Sequence, residues 1–286
     1  MQKFSYHTHT NALGIFDGHH SAAEMIRRAE EIGYEEIGIS NHLVYHPNLL
    51  TTSPMFFNDF DLLKKMMQKN VDDIRRAAEK ASIPVYAGFE VDFFPSAMWR
   101  NAFEKLTETL NADYYVGSFH FLRNTDESRV YNMYHYKESG SPFTPEELAD
   151  AVRNYWRNVC LAAESGYFDF IAHLDVYKIF PDFAPLGTDE DKRAAVETLS
   201  RLRHPYELNT SGWTKCGEQH PYGWMLEELN KSGVPVVISD DAHDVDHLAR
   251  HFERAEELLA KMNYTNRWRL KPVSYTHLTL PTIYSV

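Results

Sequence analysis

The sequence predicts an α/β fold in which parallel strands alternate with helices and close into a barrel. Two observations predict it. Short apolar runs and amphipathic helical segments alternate about seven times along the chain, the pattern of parallel strands joined by helical crossovers. Nearly every apolar run also ends in a potential metal ligand: His7 and His9, His42, Glu90, His120, His173, then Asp241 and His243. In an open or a closed parallel sheet these carboxyl-end positions face one side. An open sheet focuses its site on one switch point, so ligand types at almost every strand end favour closure.

The elements follow in order. Residues 3–6 read as a strand leading into His7 and His9, followed by a polar loop with Asp17, His19 and His20. Ser21 and Glu24 form a capping box for a helix over 22–32, which ends at Gly33. Residues 36–40 form the second strand and run into Asn41-His42. The stretch 43–60, with Pro47, Pro54 and several aromatics, reads as a lid or substrate loop. A charged helix over 61–81 precedes the third strand, 84–90, which ends in Glu90-Val91-Asp92. A helix over 97–110 precedes the fourth strand, 113–119, which ends in His120. Residues 122–143 are a second polar, aromatic excursion. Thr144 and Pro145 start a helix to about Ser165. The fifth strand, 167–172, ends in His173; a helix covers 189–202; the sixth strand, 205–209, ends in Asn209. A helix over 222–232 and the seventh strand, 234–239, lead to Asp240-Asp241-Ala242-His243, and a last helix covers 245–261.

The chain's 286 residues suffice for one large α/β domain or two small ones, and 43% hydrophobic content suffices for a core. Net charge is −12, from 29 basic and 41 acidic residues. That field disfavours nucleic acid as a partner and is compatible with bound cations. No apolar run is long enough to cross a bilayer, and the start turns polar too early for a secretory leader. Cys160 and Cys216 are far apart and unpatterned, which reads as a reducing, cytoplasmic setting. Fifteen histidines exceed ordinary usage.

The tail breaks the pattern. Residues 272–282 lack helix period, caps and charge. A transposon-type sequencing-library adapter encodes the same run in one reading frame. Residues 272–286 are therefore expected to be read-through, with the native domain over 1–271.

The strand-end set carries the chemistry. Imidazole and carboxylate ligands without thiolates suit Zn, Mn or Fe. One ion takes roughly four to six ligands, and this set exceeds that, so two or three divalent ions are implied, with Glu90 chosen as the bridging carboxylate. Taken singly, His7, His120 or His173 is more often an ordinary hydrogen-bonded histidine; together, at matching strand ends, that reading loses ground.

These residues also carry a resemblance. The set His7-Thr-His9-Thr, Phe16-Asp17-Gly18, Ser40-Asn41-His42, Gly88-Phe-Glu90-Val-Asp92, Gly117-Ser-Phe-His120, Ala172-His173-Leu174-Asp175, Asn209-Thr-Ser-Gly212 and Ser239-Asp-Asp241-Ala-His243 resembles the PHP (polymerase and histidinol phosphatase) superfamily, in particular its stand-alone histidinol-phosphatase branch. It covers nearly all of residues 3–262. The resemblance implies a distorted seven-stranded (β/α) barrel with a trinuclear metal site. His7, His9, Glu90 and Asp241 would hold one ion; Glu90, His120 and His173 a second; Asp17, His42 and His243 a third. In the third set the ligand from the 17–20 loop is open among Asp17, His19 and His20, with Asp17 favoured. Asn41 stands where many relatives have Asp.

The implied activity is metal-dependent hydrolysis of a small phosphomonoester, with histidinol phosphate in histidine biosynthesis as the leading substrate and another small phosphate, such as a nucleoside monophosphate, as the alternative. The metals would activate water and neutralise the phosphate. Glu90, His42 and His243 are the catalytic candidates, the two histidines as proton donors to the leaving group. Arg123, Lys178 and Lys215 are candidate phosphate clamps, and Asn209 a candidate hydrogen-bond donor. Tyr45, His46 and Trp213 are candidate pocket walls. A metal-binding protein without turnover, or a polymerase-associated module, would be the reading if ligands were missing or a polymerase extension were present. The oligomeric state has no signature in the sequence.

Overall fold

The computed structural model describes residues 1–50, 53–135 and 142–271; the expectation for the 272–286 tail lies outside the described residues. The strands are β1 (Phe4–Ser5), β2 (Glu36–Ile39), β3 (His42–Tyr45), β4 (Phe56–Phe57), β5 (Val85–Asp92), β6 (Tyr114–Ser118), β7 (Phe121–Arg123), β8 (Val130–Asn132), β9 (Phe170–Ile171), β10 (Tyr206–Asn209) and β11 (Val236–Ser239). Seven of them pair in parallel in the order β1-β2-β5-β6-β9-β10-β11. The ring nearly closes just past its last strand. Thr8 bridges Ala242 in parallel, and the His9 amide donates to the Ala242 carbonyl at 2.8 Å. The expected seven-stranded barrel is therefore what the chain forms.

The helices are α1 (Ala22–Glu31), α2 (Phe60–Ala78), α3 (Ala97–Thr107), α4 (Pro145–Ser165), α5 (Asp189–Leu202), α6 (Gly212–Lys215), α7 (Gly223–Lys231) and α8 (Phe252–Lys261). Their starts are fixed by side-chain caps. Ser21 and Thr144 each form a complete capping box, with Glu24 and Glu147 respectively, and Asp59, Ser96 and Thr188 accept from the first turns of α2, α3 and α5. Such a cap contributes about 1 kcal/mol. Apolar faces then dock on the sheet: Met25, Ile26 and Ala29 of α1 and Leu63, Met67 and Ile74 of α2 are buried. A second apolar cluster joins residues near the starts of β1, β6, β9 and β11, namely Phe4, Tyr114, Phe170 and Val237, with Tyr6 and Leu270. Gly38 and Gly88 make room for it, since a Cβ at either would lie 2.4 Å from the Tyr114 ring or hydroxyl. That cluster packs one end of the barrel, which leaves the strand carboxyl ends for polar groups.

Three expectations need correction. The 43–60 excursion is not wholly loop: β3 pairs with β5, and β4 pairs with β3. The 122–143 excursion contains the antiparallel β7–β8 hairpin. The last helix does not start at 245. A single 3-10 turn spans Val245–His247, Ala249 and His251 adopt positive φ, and α8 begins at Phe252. The buried Asp240 carboxylate accepts the Ala249 amide at 2.7 Å, an attachment that competes with helical pairing there. The one-turn α6 had no periodic signal to announce it.

Candidate metal centre

The candidate ligands sit near the ends of strands or in the segments that follow them, except Asp17, which comes from the loop between β1 and α1. Glu90 is at their centre and is fully buried. Its Oε2 lies 3.3 Å from His7 Nε2, 3.6 Å from His9 Nε2 and 3.0 Å from His42 Nδ1. Its Oε1 lies 2.9 Å from His173 Nε2 and 3.4 Å from His120 Nε2. One carboxylate thus faces two groups of imidazoles, one on each oxygen. Asp241 Oδ1 lies 3.2 Å from His9 Nε2 and 3.6 Å from His7 Nε2. Asp17 Oδ2 lies 3.4 Å from both His42 Nε2 and His243 Nε2. Four overlapping donor groups result: His9, Asp17, His42 and His243; His7, Glu90 and His173; His7, His9 and Asp241; and His42, Glu90 and His120.

Most of these separations fit metal ligation better than direct hydrogen bonding; the His173–Glu90 contact at 2.9 Å and the His42–Glu90 contact at 3.0 Å fit either. Ligand atoms about 2.1 Å from a tetrahedral ion lie roughly 3.4 Å apart, whereas direct hydrogen bonds centre near 2.9 Å. His7 Nε2, His9 Nε2 and Glu90 Oε2 are buried and have no hydrogen-bond partner. Such atoms are costly to leave unpaired, and a cation satisfies all three. The residues present therefore fit a divalent-metal cluster.

The carboxylates are held ionised and the imidazoles divide: burial opposes charge on each, yet the facing carboxylates raise His7, His42 and His120. Burial alone would push the Glu90 carboxyl up, but the His120, His7 and His42 imidazoles hold it well below the usual carboxylate range. Burial likewise opposes ionised Asp241, and the Lys215 ammonium and His7 outweigh it. Burial, with His243 and His42 close by, drops His9 to about 3. His9 is thus held neutral, the form that ligates.

Further buried bonds orient the ligands. His7 Nδ1 lies 2.6 Å from Glu207 Oε1. Glu207 Oε2 accepts the His173 amide at 2.8 Å and the Asn209 side-chain amide at 2.9 Å. Burial would raise Glu207, but the neighbouring His7 pulls it down to about 2. Asp92 accepts the His120 amide at 2.6 Å and approaches His120 Nδ1 at 3.1 Å. Reading the sequence for ligands passed over Glu207; its signal was a charge inside the apolar run of β10. The Asn41 carbonyl accepts the Glu90 amide at 3.2 Å, while its side chain bonds elsewhere. Its Nδ2 donates to Thr10 Oγ1 and Asn70 Oδ1, and its Oδ1 accepts the Thr10 amide. It fixes the backbone just after His9.

A cavity of about 250 Å³ opens over this cluster. Asp17, His42, His120, Asp241 and His243 form its floor; Met55, Phe56, Phe121, Asn132, Tyr134 and His135 form its walls and roof, and Lys215 lines it too. Lys215 Nζ is 2.9 Å from Asp241 Oδ2. Although burial opposes its charge, Asp241 holds the Lys215 pKa above its ordinary value.

Several expected site residues are not brought to this cavity. Arg123 is a correction: it is buried, and it donates to the Asn124 and Thr125 carbonyls and to Asn158 Oδ1. Lys178 is another, because its Nζ is held by Asp175 at 3.0 Å and by the Gln219 carbonyl at 2.6 Å, over the Tyr222 ring. Asn209 is buried below the floor, where its Oδ1 accepts from the Ser211 amide and hydroxyl. Tyr45, His46 and Trp213 do not line the cavity either. In the 17–20 loop, Asp17 reaches the cluster. The exposed His19 and the half-buried His20 turn instead to Asp244, at 3.2 and 3.4 Å.

Comparison with known proteins gives a consistent picture. A family model described as the PHP domain matches residues 5–210. A Deinococcus radiodurans protein named "Probable histidinol-phosphatase" is 28% identical over 174 residues, 60% of this chain and 63% of that protein. The chain thus spans somewhat under two thirds of that relative. The Bacillus subtilis histidinol-phosphatase is 24% identical over 273 residues, 88% of this chain and 98% of that protein. A solved structure of histidinol phosphate phosphatase from Lactococcus lactis, complexed with zinc, L-histidinol and phosphate, superposes with a TM-score of 0.63 at 16% identity. The match covers 92% of this chain and 95% of that one, and it shows the shared fold.

Proposed function

The chain belongs to the PHP domain family, and from that premise we propose that it is a metal-dependent phosphomonoesterase that hydrolyses L-histidinol phosphate to L-histidinol and phosphate, a step of histidine biosynthesis. The observation that carries this reading is Glu90, whose two oxygens each face a separate set of imidazoles beneath an open cavity. Relatives that carry this activity by name support the substrate.

Three ions are proposed. His7, His9, Glu90 and Asp241 would hold the first, Glu90, His120 and His173 the second, and Asp17, His42 and His243 the third; the zinc of the Lactococcus structure and the mixed imidazole–carboxylate donors support Zn, Mn or Fe. When bound, such ions acidify water and neutralise phosphate oxygens.

The chain's own groups do the rest. Glu90 and Asp241, held ionised, fix the negative side of the site. Lys215, the ammonium in the cavity, takes a phosphate oxygen and steadies the charge that develops during in-line attack. Water adds to phosphorus, the phosphorus–oxygen ester bond breaks, and the leaving alkoxide takes a proton to become the alcohol. His42 and His243 flank Asp17 at the cavity floor; their Nε2 atoms would hold the third ion where it is bound, and would hold that proton where it is not. The aromatic walls face the leaving group. No helix among the described residues is long and apolar enough to cross a membrane; the free Cys160 and Cys216 support a cytoplasmic setting.

The test is phosphate release from L-histidinol phosphate beside a panel of other phosphomonoesters, with added Mn or Zn, for the parent and for Glu90→Ala. Selective turnover of histidinol phosphate that Glu90→Ala lowers by about 10³-fold or more is the expected result. Turnover of nucleoside monophosphates alone would replace the substrate while keeping the chemistry. Metal-independent turnover would overturn the mechanism.

A further inference from the structure

A buried pair outside the metal cluster, His46 and Glu127, ties together the two segments that wall the cavity. His46 is 1% exposed and Glu127 5%. The Asn48 amide donates to His46 Nδ1 at 3.1 Å, which leaves the ring proton on Nε2. That Nε2–H donates to Glu127 Oε2 at 2.9 Å. The other Glu127 oxygen accepts the Ser96 amide at the start of α3, and the Glu127 carbonyl accepts from the Asn48 side chain at 2.8 Å.

The hairpin tip is shaped to deliver this carboxylate inward. Asn124 Oδ1 accepts the Arg129 amide, Asn124 Nδ2 donates to Asp126 and Ser128, and Glu127 adopts φ +56°. A glutamate in the left-handed region is uncommon and must be held there by its surroundings.

Both walls hang from this junction. The His46 amide donates to the Phe57 carbonyl at 3.1 Å, next to Phe56 in β4. The Leu50 amide donates to the Val130 carbonyl of β8 at 2.9 Å. The hairpin carries Phe121 in β7, and Asn132, Tyr134 and His135 at or beyond the end of β8. Phe56 meets Phe121 and His135 edge-on or tilted, with ring centroids 5.2 and 6.0 Å apart.

We propose that His46 and Glu127 are positioning residues that set the leaving-group side of the cavity by latching residues 43–50, and β4 with them, to the β7–β8 hairpin. They touch neither the metal donors nor the phosphate. They therefore act on how the alcohol portion of the substrate is held, and leave the attack on phosphorus alone. The inference rests on the phosphomonoesterase reading for its kinetic consequence but not for its structural one, and the test separates the two.

The experiment compares the parent, His46→Ala, Glu127→Ala, the double variant and His46→Gln, whose amide can still donate to Glu127. Hydrogen exchange is followed by mass spectrometry, and kinetics with L-histidinol phosphate, with inorganic phosphate as competitor. For His46→Ala and Glu127→Ala, exchange in 43–50 and in 121–132 should rise together by about 10-fold, with the barrel strands unchanged, as expected for loss of a buried hydrogen bond. KM should rise about 10-fold while kcat and the phosphate inhibition constant stay within about 3-fold. The double variant should be no worse than the worse single one, and His46→Gln should recover most of the effect. Exchange that rises in one segment only, or KM unchanged beside a lowered melting temperature, would overturn the proposal. A parent that hydrolyses no phosphomonoester would refute the phosphomonoesterase reading, and the exchange pattern would still decide whether the latch exists.

Discussion

The cavity floor and the donor cluster beneath it take His7, His42, Glu90, His120, His173 and Asp241 from at or near the ends of strands in or against a nearly closed barrel, whereas Phe56, Tyr134 and His135 of the walls and roof come from segments outside the seven-strand ring. The floor is over-determined. Glu207 bonds His7 and the His173 amide, Asp92 bonds His120 twice, and the barrel closure passes through His9 and Ala242. The roof is held by separate contacts spread along it, among them the His46–Glu127 and Arg129–Glu147 contacts and the Leu50 amide on the Val130 carbonyl. Rigid elements hold the groups that chemistry needs at fixed spacing, and irregular ones shape what the alcohol meets. Perturbing the floor should change kcat and metal content, and perturbing the roof should change KM.

The largest effect should come from stripping the metals. Buried, ionised Glu90 and Asp241 would then face imidazoles and the Lys215 ammonium alone. Chelation is expected to abolish phosphate release and to lower the melting temperature by several degrees, as loss of a tight ligand does. Calorimetry before and after dialysis against a chelator checks this, and re-addition of Mn or Zn should restore both. An unchanged melting temperature would mean that the cluster is not a metal site. Next comes Glu207→Gln, which keeps shape and removes charge beneath His7. Metal affinity and activity should fall about 10- to 100-fold, read by metal content after gel filtration and by kcat. Wild-type metal content would reduce Glu207 to a packing role. On the roof, Phe56→Ala should raise KM about 10-fold with kcat and metal content near the parent's. A collapse of kcat would blur the distinction between the two regions.

The same division explains what the sequence could and could not reveal. The barrel was legible because its strands are short apolar runs set between capped helices, and because a parallel sheet turns every strand end to one side. Glu90, His120 and His173 could therefore be grouped without any knowledge of distance. Glu207 was not legible as a ligand support, since its role depends on a His7 that is 200 positions away. Arg123 and Lys178 misled for a related reason. A cation near a strand end looks available until its acceptors are known, and here these are the Asn124 and Gln219 carbonyls and the Asn158 and Asp175 side chains. The roof was read as loop because two-residue strands such as β4 are too short to show alternation. The His46–Glu127 contact joins residues from two such segments, each unremarkable alone.

The smallest effect should come from the roof's outer attachment. Arg129 sits where the hairpin turn meets β8, and it contacts Glu147 in the first turn of α4, the Pro142 carbonyl and the Phe143 ring. Arg129, with the Thr144 amide, pulls the Glu147 carboxyl down to about 2, from an ordinary value near 4.3. A carboxyl depressed on folding contributes stability that is fully present above its unfolded pKa and fades as pH falls towards the folded one. Arg129→Ala should therefore lower the melting temperature slightly, as exposed ion pairs do. The difference from the parent should be constant from about pH 8 to pH 5, shrink below about pH 4.5, and shrink with added salt at neutral pH. Catalysis should be untouched except through the hairpin, so any kinetic change should appear in KM. Paired thermal melts across pH 3.5–8 measure it. A difference that varies between pH 6 and 8, or that survives undiminished at pH 3.5, would show that Arg129 acts through packing on Phe143 and not through its charge.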